Sequence, residues 1–153
     1  MIIEREQRDL SMTDAEFEEQ KERLRALQEK WITPLGLRMW QKVSFEYWRE
    51  ALPPPSDVEP GSKVLARAFP DWRYKTGRIL FCLPMCVPLS DEELEYIFLH
   101  ECVHLLVNEM RYSGDEGGIV HEERCVTEIA MVLGWVRQAG RDDPREEASD
   151  GER

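Results

Sequence analysis

A chain of 153 residues is long enough for one domain with a substantial core. Its 31 Asp and Glu against 20 Lys and Arg leave a formal charge of −11, which argues against general binding to nucleic acid or to an anionic membrane surface. No stretch has the length of a membrane span and Met1-Ile2-Ile3-Glu4 is no apolar leader, so the chain reads as soluble and cytoplasmic, with no membrane partner.

Residues 1–12 are polar and irregular and are expected to form a flexible segment ahead of a domain over 13–140. Thr13-Asp14-Ala15-Glu16 is a capping box that opens a helix to about Trp31, with Phe17, Leu24, Leu27 and Trp31 along one stripe. After Pro34 and Gly36, the aromatic and β-branched run Leu37 to Trp48 predicts a strand in which Met39, Gln41, Val43, Phe45 and Tyr47 share a face. The proline-rich stretch Ala51 to Gly61 reads as a loop. Lys63 to Phe69, ended by Pro70, and Thr76 to Leu83, stopped by Pro84, predict a second and a third strand. With no crossover helix between them, the three strands are expected to be antiparallel.

Ser90-Asp91-Glu92-Glu93 is a second capping box, starting a helix to about Met110 or Arg111. Ser113 to Gly118 reads as a turn, and His121 to about Gln138 as the last helix, stopped at Gly140, with Val126, Ile129, Ala130, Val132, Leu133 and Val136 apolar. Residues 141–153, charged and without aromatics, are expected to be a disordered acidic tail. Cys82, Cys86, Cys102 and Cys125 lack both paired metal-site spacing and disulfide density, so they read as free thiols, mostly buried.

The chemistry concentrates in Phe98-Leu99-His100-Glu101-Cys102-Val103-His104, an HExxH spacing inside an apolar run. On a helix, residues i and i+4 lie on one face, so both imidazoles can reach one ion. Glu101 projects about a hundred degrees away, where its carboxylate can act as general base without ligating. Two histidines stacked beside a carboxylate in a buried helix are poorly explained as accidental core polar groups, because each needs a partner.

A catalytic zinc takes a third protein ligand. His121-Glu122-Glu123-Arg124-Cys125-Val126-Thr127, at the start of the last helix, offers adjacent candidates. Glu123 stands one turn above Thr127, whose hydroxyl can support a ligand from behind, whereas Glu122 stands above Val126, more squarely on the apolar face. The spacing to Thr127 favours Glu123. For Glu122 the plainer reading is a solvated acid suited to the helix dipole.

Three strands, an HExxH helix and a second helix bearing a glutamate resemble the minimal gluzincin fold of ImmA/IrrE-type metallopeptidases and their phage-encoded relatives, and more loosely SprT-like proteins. In the former the second helix runs E-x-x-A-N-x-F-A-A-x-L-L, with the first glutamate on zinc. Glu123 in that place aligns Ile129, Ala130 and Leu133 with the F, A and L positions, while Val126 and Thr127 replace the A-N pair. The resemblance spans about residues 35–140. It implies an α+β, zincin-like fold: a small antiparallel sheet packed on the motif helix and a ligand-bearing helix, plus an additional N-terminal helix.

It further implies a zinc-dependent hydrolase that cleaves peptide bonds in a peptide or protein substrate, with His100, His104 and Glu123 on the metal and Glu101 as base. Tyr112 and His121 are near enough in the chain to be considered as oxyanion donors, but turn packing is the plainer reading for Tyr112 and a place just ahead of the helix the plainer one for His121. An edge position for Thr76 to Leu83, which a terminating Pro84 suits, would let substrate add as a further strand. Two other readings stand beside this one. One is a zinc-stabilised interaction module, against which an intact Glu101 argues. The other is a nucleoprotein-associated protease using Arg67, Arg73, Lys75 and Arg78, the basic middle of the chain, where a mixed solvated surface is the plainer reading.

Overall fold

The computed structural model describes residues 12–50, 64–71, 73–107 and 117–141, with side chains included for all but 117–121 and 137–141. The expectations for residues 1–11, 51–63, 108–116 and 142–153, Tyr112 among them, lie outside the described residues, as does the side chain of His121. Among the described residues the fold is α+β, a three-stranded mixed sheet with four helices. The order is α1 (Asp14–Trp31), β1 (Lys42–Trp48), β2 (Ala66–Asp71), β3 (Thr76–Cys82), α2 (Leu83–Cys86), α3 (Asp91–Val107) and α4 (Gly117–Arg141), with a 3₁₀ turn at Leu37–Met39.

The capping box starts α1 as its residues require. Thr13 Oγ1 accepts from the Glu16 amide at 3.2 Å, and Glu16 Oε2 accepts from the Thr13 amide at 2.8 Å. Leu24 and Trp31 are buried along the inward stripe, with Phe17 and Leu27 packed beside them. Polar contacts then fasten α1 to the front of α3. Trp31 Nε1 donates to Glu95 Oε1 at 2.6 Å, Lys30 pairs with the same carboxylate, and the Arg23 guanidinium reaches Asp91 Oδ1 and the Leu89 carbonyl.

The sheet differs from the expected one. Its order is β1-β3-β2, with β1 parallel and β2 antiparallel to β3. A parallel pair needs only a long connection between its strands. Here that connection is β2 together with the proline-rich stretch, so the absence of a helix there does not forbid it. β3 is therefore the central strand, bonded on both edges, and substrate cannot add beside it. Pro84 marks no edge: it lies in the first turn of α2, a position that suits proline in any context. The edge proline is Pro70, inside β2 and in register with Gly77. The run from Leu37 to Gln41 does not join β1: it forms the 3₁₀ turn and a bend, leaving Met39 82% exposed.

One face of the sheet carries Val43, Phe45 and Tyr47 from β1 and Ile79 and Phe81 from β3 against the main core. Phe98 of α3 stacks on both strands, its ring 5.6 Å from Phe45 and 6.1 Å from Phe81. Nearby, a Cβ on Gly77 would sit 2.7 Å from Leu105 Cδ2, so the missing side chain lets β3 approach α3 one residue past His104. On the other face Leu80, Cys82 and Val64 form a smaller buried cluster with Phe69 and Met85.

α3 starts at its capping box, Ser90 with Glu93. α4 begins at Gly117 and runs to Arg141, longer at both ends than expected. Glycine inside a helix costs only about 1 kcal/mol relative to alanine, so neither Gly117-Gly118 nor Gly140 is a binding stop signal. No helix among the described residues is long and apolar enough to cross a membrane.

Candidate metal centre

Every residue of α3 from Ile97 to Leu105 is buried, enclosed by the sheet, α1 and α4. His100, Glu101 and His104 thus stand in an apolar helix that has no solvent to satisfy them. The two imidazoles lie edge to face, their centroids 4.9 Å apart and their Nε2 atoms 3.2 Å apart. α4 brings Glu123 up to both: Oε2 is 3.5 Å from His100 Nε2, and Oε1 is 3.3 Å from His104 Nε2. The Glu123 side chain is 50% exposed, so one side of the cluster is open. The His100 imidazole beside it holds the Glu123 carboxyl at about 2, below its ordinary value, with the nearby His104 ring adding to the effect and partial burial opposing it.

Three donor atoms within 4.8 Å of one another, two imidazole nitrogens and a carboxylate oxygen, form a group that can hold a metal ion. The spacing fits a small divalent ion. Bonds of about 2.0–2.1 Å at a tetrahedral angle separate donors by about 3.3–3.4 Å. The two Nε2 atoms, 3.2 Å apart, stand close to that length, and Glu123 turns one oxygen toward each ring, Oε2 toward His100 and Oε1 toward His104. Two Nε2 lone pairs and a carboxylate turned on one another also repel unless a cation or a proton lies between them.

Of the residues singled out from sequence, His100, His104 and Glu123 converge, and Glu101 is buried in the same turn of α3 at 1% exposure. The expectation of a solvated acid at Glu122 does not hold. The residue is fully buried, with Oε1 2.8 Å from His104 Nδ1, so it takes the supporting place behind a candidate ligand that the spacing suggests for Thr127. The early start of α4 explains the difference, because Glu122 stands well inside the helix rather than at its tip. A signal for this was in the sequence: Glu122, Val126, Ala130 and Leu133 form one stripe, and a carboxylate on a buried stripe requires a partner. Val126 and Ala130 are indeed fully buried.

Cys82, Cys86 and Cys102 are buried free thiols; burial pushes Cys86 up to about 12, and burial, with the Glu101 charge next, pushes Cys102 well above its ordinary value. No protein-family model matches the chain, and no curated protein and no solved structure matches it.

Proposed function

We propose that this chain is a zinc-dependent metallopeptidase of the gluzincin type, related to the ImmA/IrrE-type enzymes. The observation that carries the reading is the convergence of His100 Nε2, His104 Nε2 and the Glu123 carboxylate into a group that can hold one ion, beside Glu101 in the same helical turn. A zinc ion held there supplies Lewis acidity and lowers the pKa of a water to roughly 7. Glu101 takes a proton from the attacking water and returns it to the leaving amine. The enclosure of α3 keeps both imidazoles aimed, and the exposed side of Glu123 leaves the substrate a way in.

Metal analysis and a peptide-hydrolysis assay on the full chain test this. One zinc per chain is expected, lost in His100→Ala and in His104→Ala, while Glu101→Gln keeps zinc and loses hydrolysis. Wild-type protein that takes up no zinc defeats the reading.

A second reading, a nucleoprotein-associated protease, draws on the outer face of the sheet. There the guanidiniums of Arg67 and Arg78 lie 4.8 and 4.9 Å from the Phe69 ring, and Arg78 reaches Glu46 only at 3.6 Å. DNA binding that weakens steeply with salt distinguishes it.

A further inference from the structure

We propose that Glu122 is the positioning residue of the metal centre: it fixes the tautomer and aim of His104 and so makes Nε2 the metal-facing atom. The inference rests on the reading above for what His104 is aimed at, and on geometry alone for the aiming. Glu122 and Glu123 are consecutive on α4, so their side chains leave the helix about a hundred degrees apart. They use that divergence to take opposite nitrogens of one ring, Glu122 at Nδ1 at 2.8 Å and Glu123 at Nε2 at 3.3 Å. A carboxylate can only accept, so with Glu122 in that form the 2.8 Å contact assigns the ring proton to Nδ1 and leaves Nε2 its lone pair. The 2.8 Å length lies in the range of charge-assisted hydrogen bonds.

A carboxylate buried without exposure is costly unless its oxygens are matched, and on an apolar stripe an aliphatic residue would pack without that cost. Its presence there is explained by work on the ring: a carboxylate behind a ligand imidazole orients it and raises its basicity. The other histidine lacks this support. His100 Nδ1 is buried and has no hydrogen-bond partner among the described residues. His104 is thus the ligand anchored by a hydrogen bond from behind, and His100 is held by the packing around it.

The experiment uses the full chain, labelled with ¹⁵N, in wild-type, Glu122→Gln and Glu122→Leu forms. Ring ¹⁵N spectra assign the histidine tautomers, and competition with a chelator measures zinc affinity. Wild type should show His104 protonated at Nδ1. The Gln variant keeps an acceptor but no charge and should lower zinc affinity about tenfold. The Leu variant also releases the ring, should mix the tautomers of His104 but leave His100 unchanged, and should lower affinity about a hundredfold. His104 protonated at Nε2 in wild type overturns the proposal. So does zinc affinity in both variants within about threefold of wild type, or a complete loss in Glu122→Gln, which would make Glu122 a ligand. If the Glu122→Leu protein does not fold, the Glu122→Gln protein decides. If wild type binds no zinc, the metallopeptidase reading falls while the tautomer spectra still judge Glu122.

Discussion

The two helices that meet at the candidate metal centre are held in different ways. α3 is enclosed on every side from Ile97 to Leu105, and its imidazoles have no room to move without disturbing the core. α4 is held along one stripe, Glu122, Val126 and Ala130, while Met131, Val132, Trp135 and Val136 of the same helix face outward. The comparison separates two tasks. Enclosure fixes the pair of imidazoles, and a helix held along one side supplies a carboxylate that is part buried and part open. A centre built from two enclosed helices would have its donors equally well placed and no path to them.

That contrast can be broken at its strong end first. Phe98→Ala removes the ring stacked between Phe45 and Phe81, and should cost about 3–5 kcal/mol in urea unfolding. A loss below about 1 kcal/mol would mean that α3 is not clamped by the sheet. Gly77→Ala sharpens the picture from the opposite surface, since the new methyl meets Leu105. A loss of about 1–3 kcal/mol is expected, and an unchanged midpoint would show that the Leu105 side chain simply turns away. The weak end is Trp135, 72% exposed on α4. Its replacement by alanine should change stability by no more than about 0.5 kcal/mol. A change near 2 kcal/mol in monomeric protein would reveal a covered face and remove the asymmetry.

Local chemistry was legible in the sequence and distant pairing was not. Both capping boxes, Thr13 with Glu16 and Ser90 with Glu93, start helices where their spacing says, because each motif satisfies its own amides within one turn. The convergence of His100 and His104 follows equally from helical periodicity. Strand order does not, since alternation tells which residues share a face and says nothing about which strand lies in the middle. β3 reads the same whether central or marginal. The last helix misleads for another reason: its apolar residues exceed what one stripe can bury, so Val132 and Val136 look like core and stand in the open. The stripe marks Glu122 as the buried acid, but which nitrogen of His104 each of Glu122 and Glu123 meets depends on how α4 lies against α3, and that is a distant pairing.

Pro70 has a consequence for how copies of this chain behave toward one another. β2 forms one border of the sheet among the described residues, and a border strand presents unpaired amides and carbonyls to any extended chain, including β2 of a second copy. Proline has no amide hydrogen, so the row of donors along this border is interrupted, and the exposed Asp71 beside it places a charge where a hydrophobic strand would settle. The fold tolerates that ring because β2 has a bonded neighbour on one side alone. The same one-sidedness sets the ring on the border that an added strand would have to pair with.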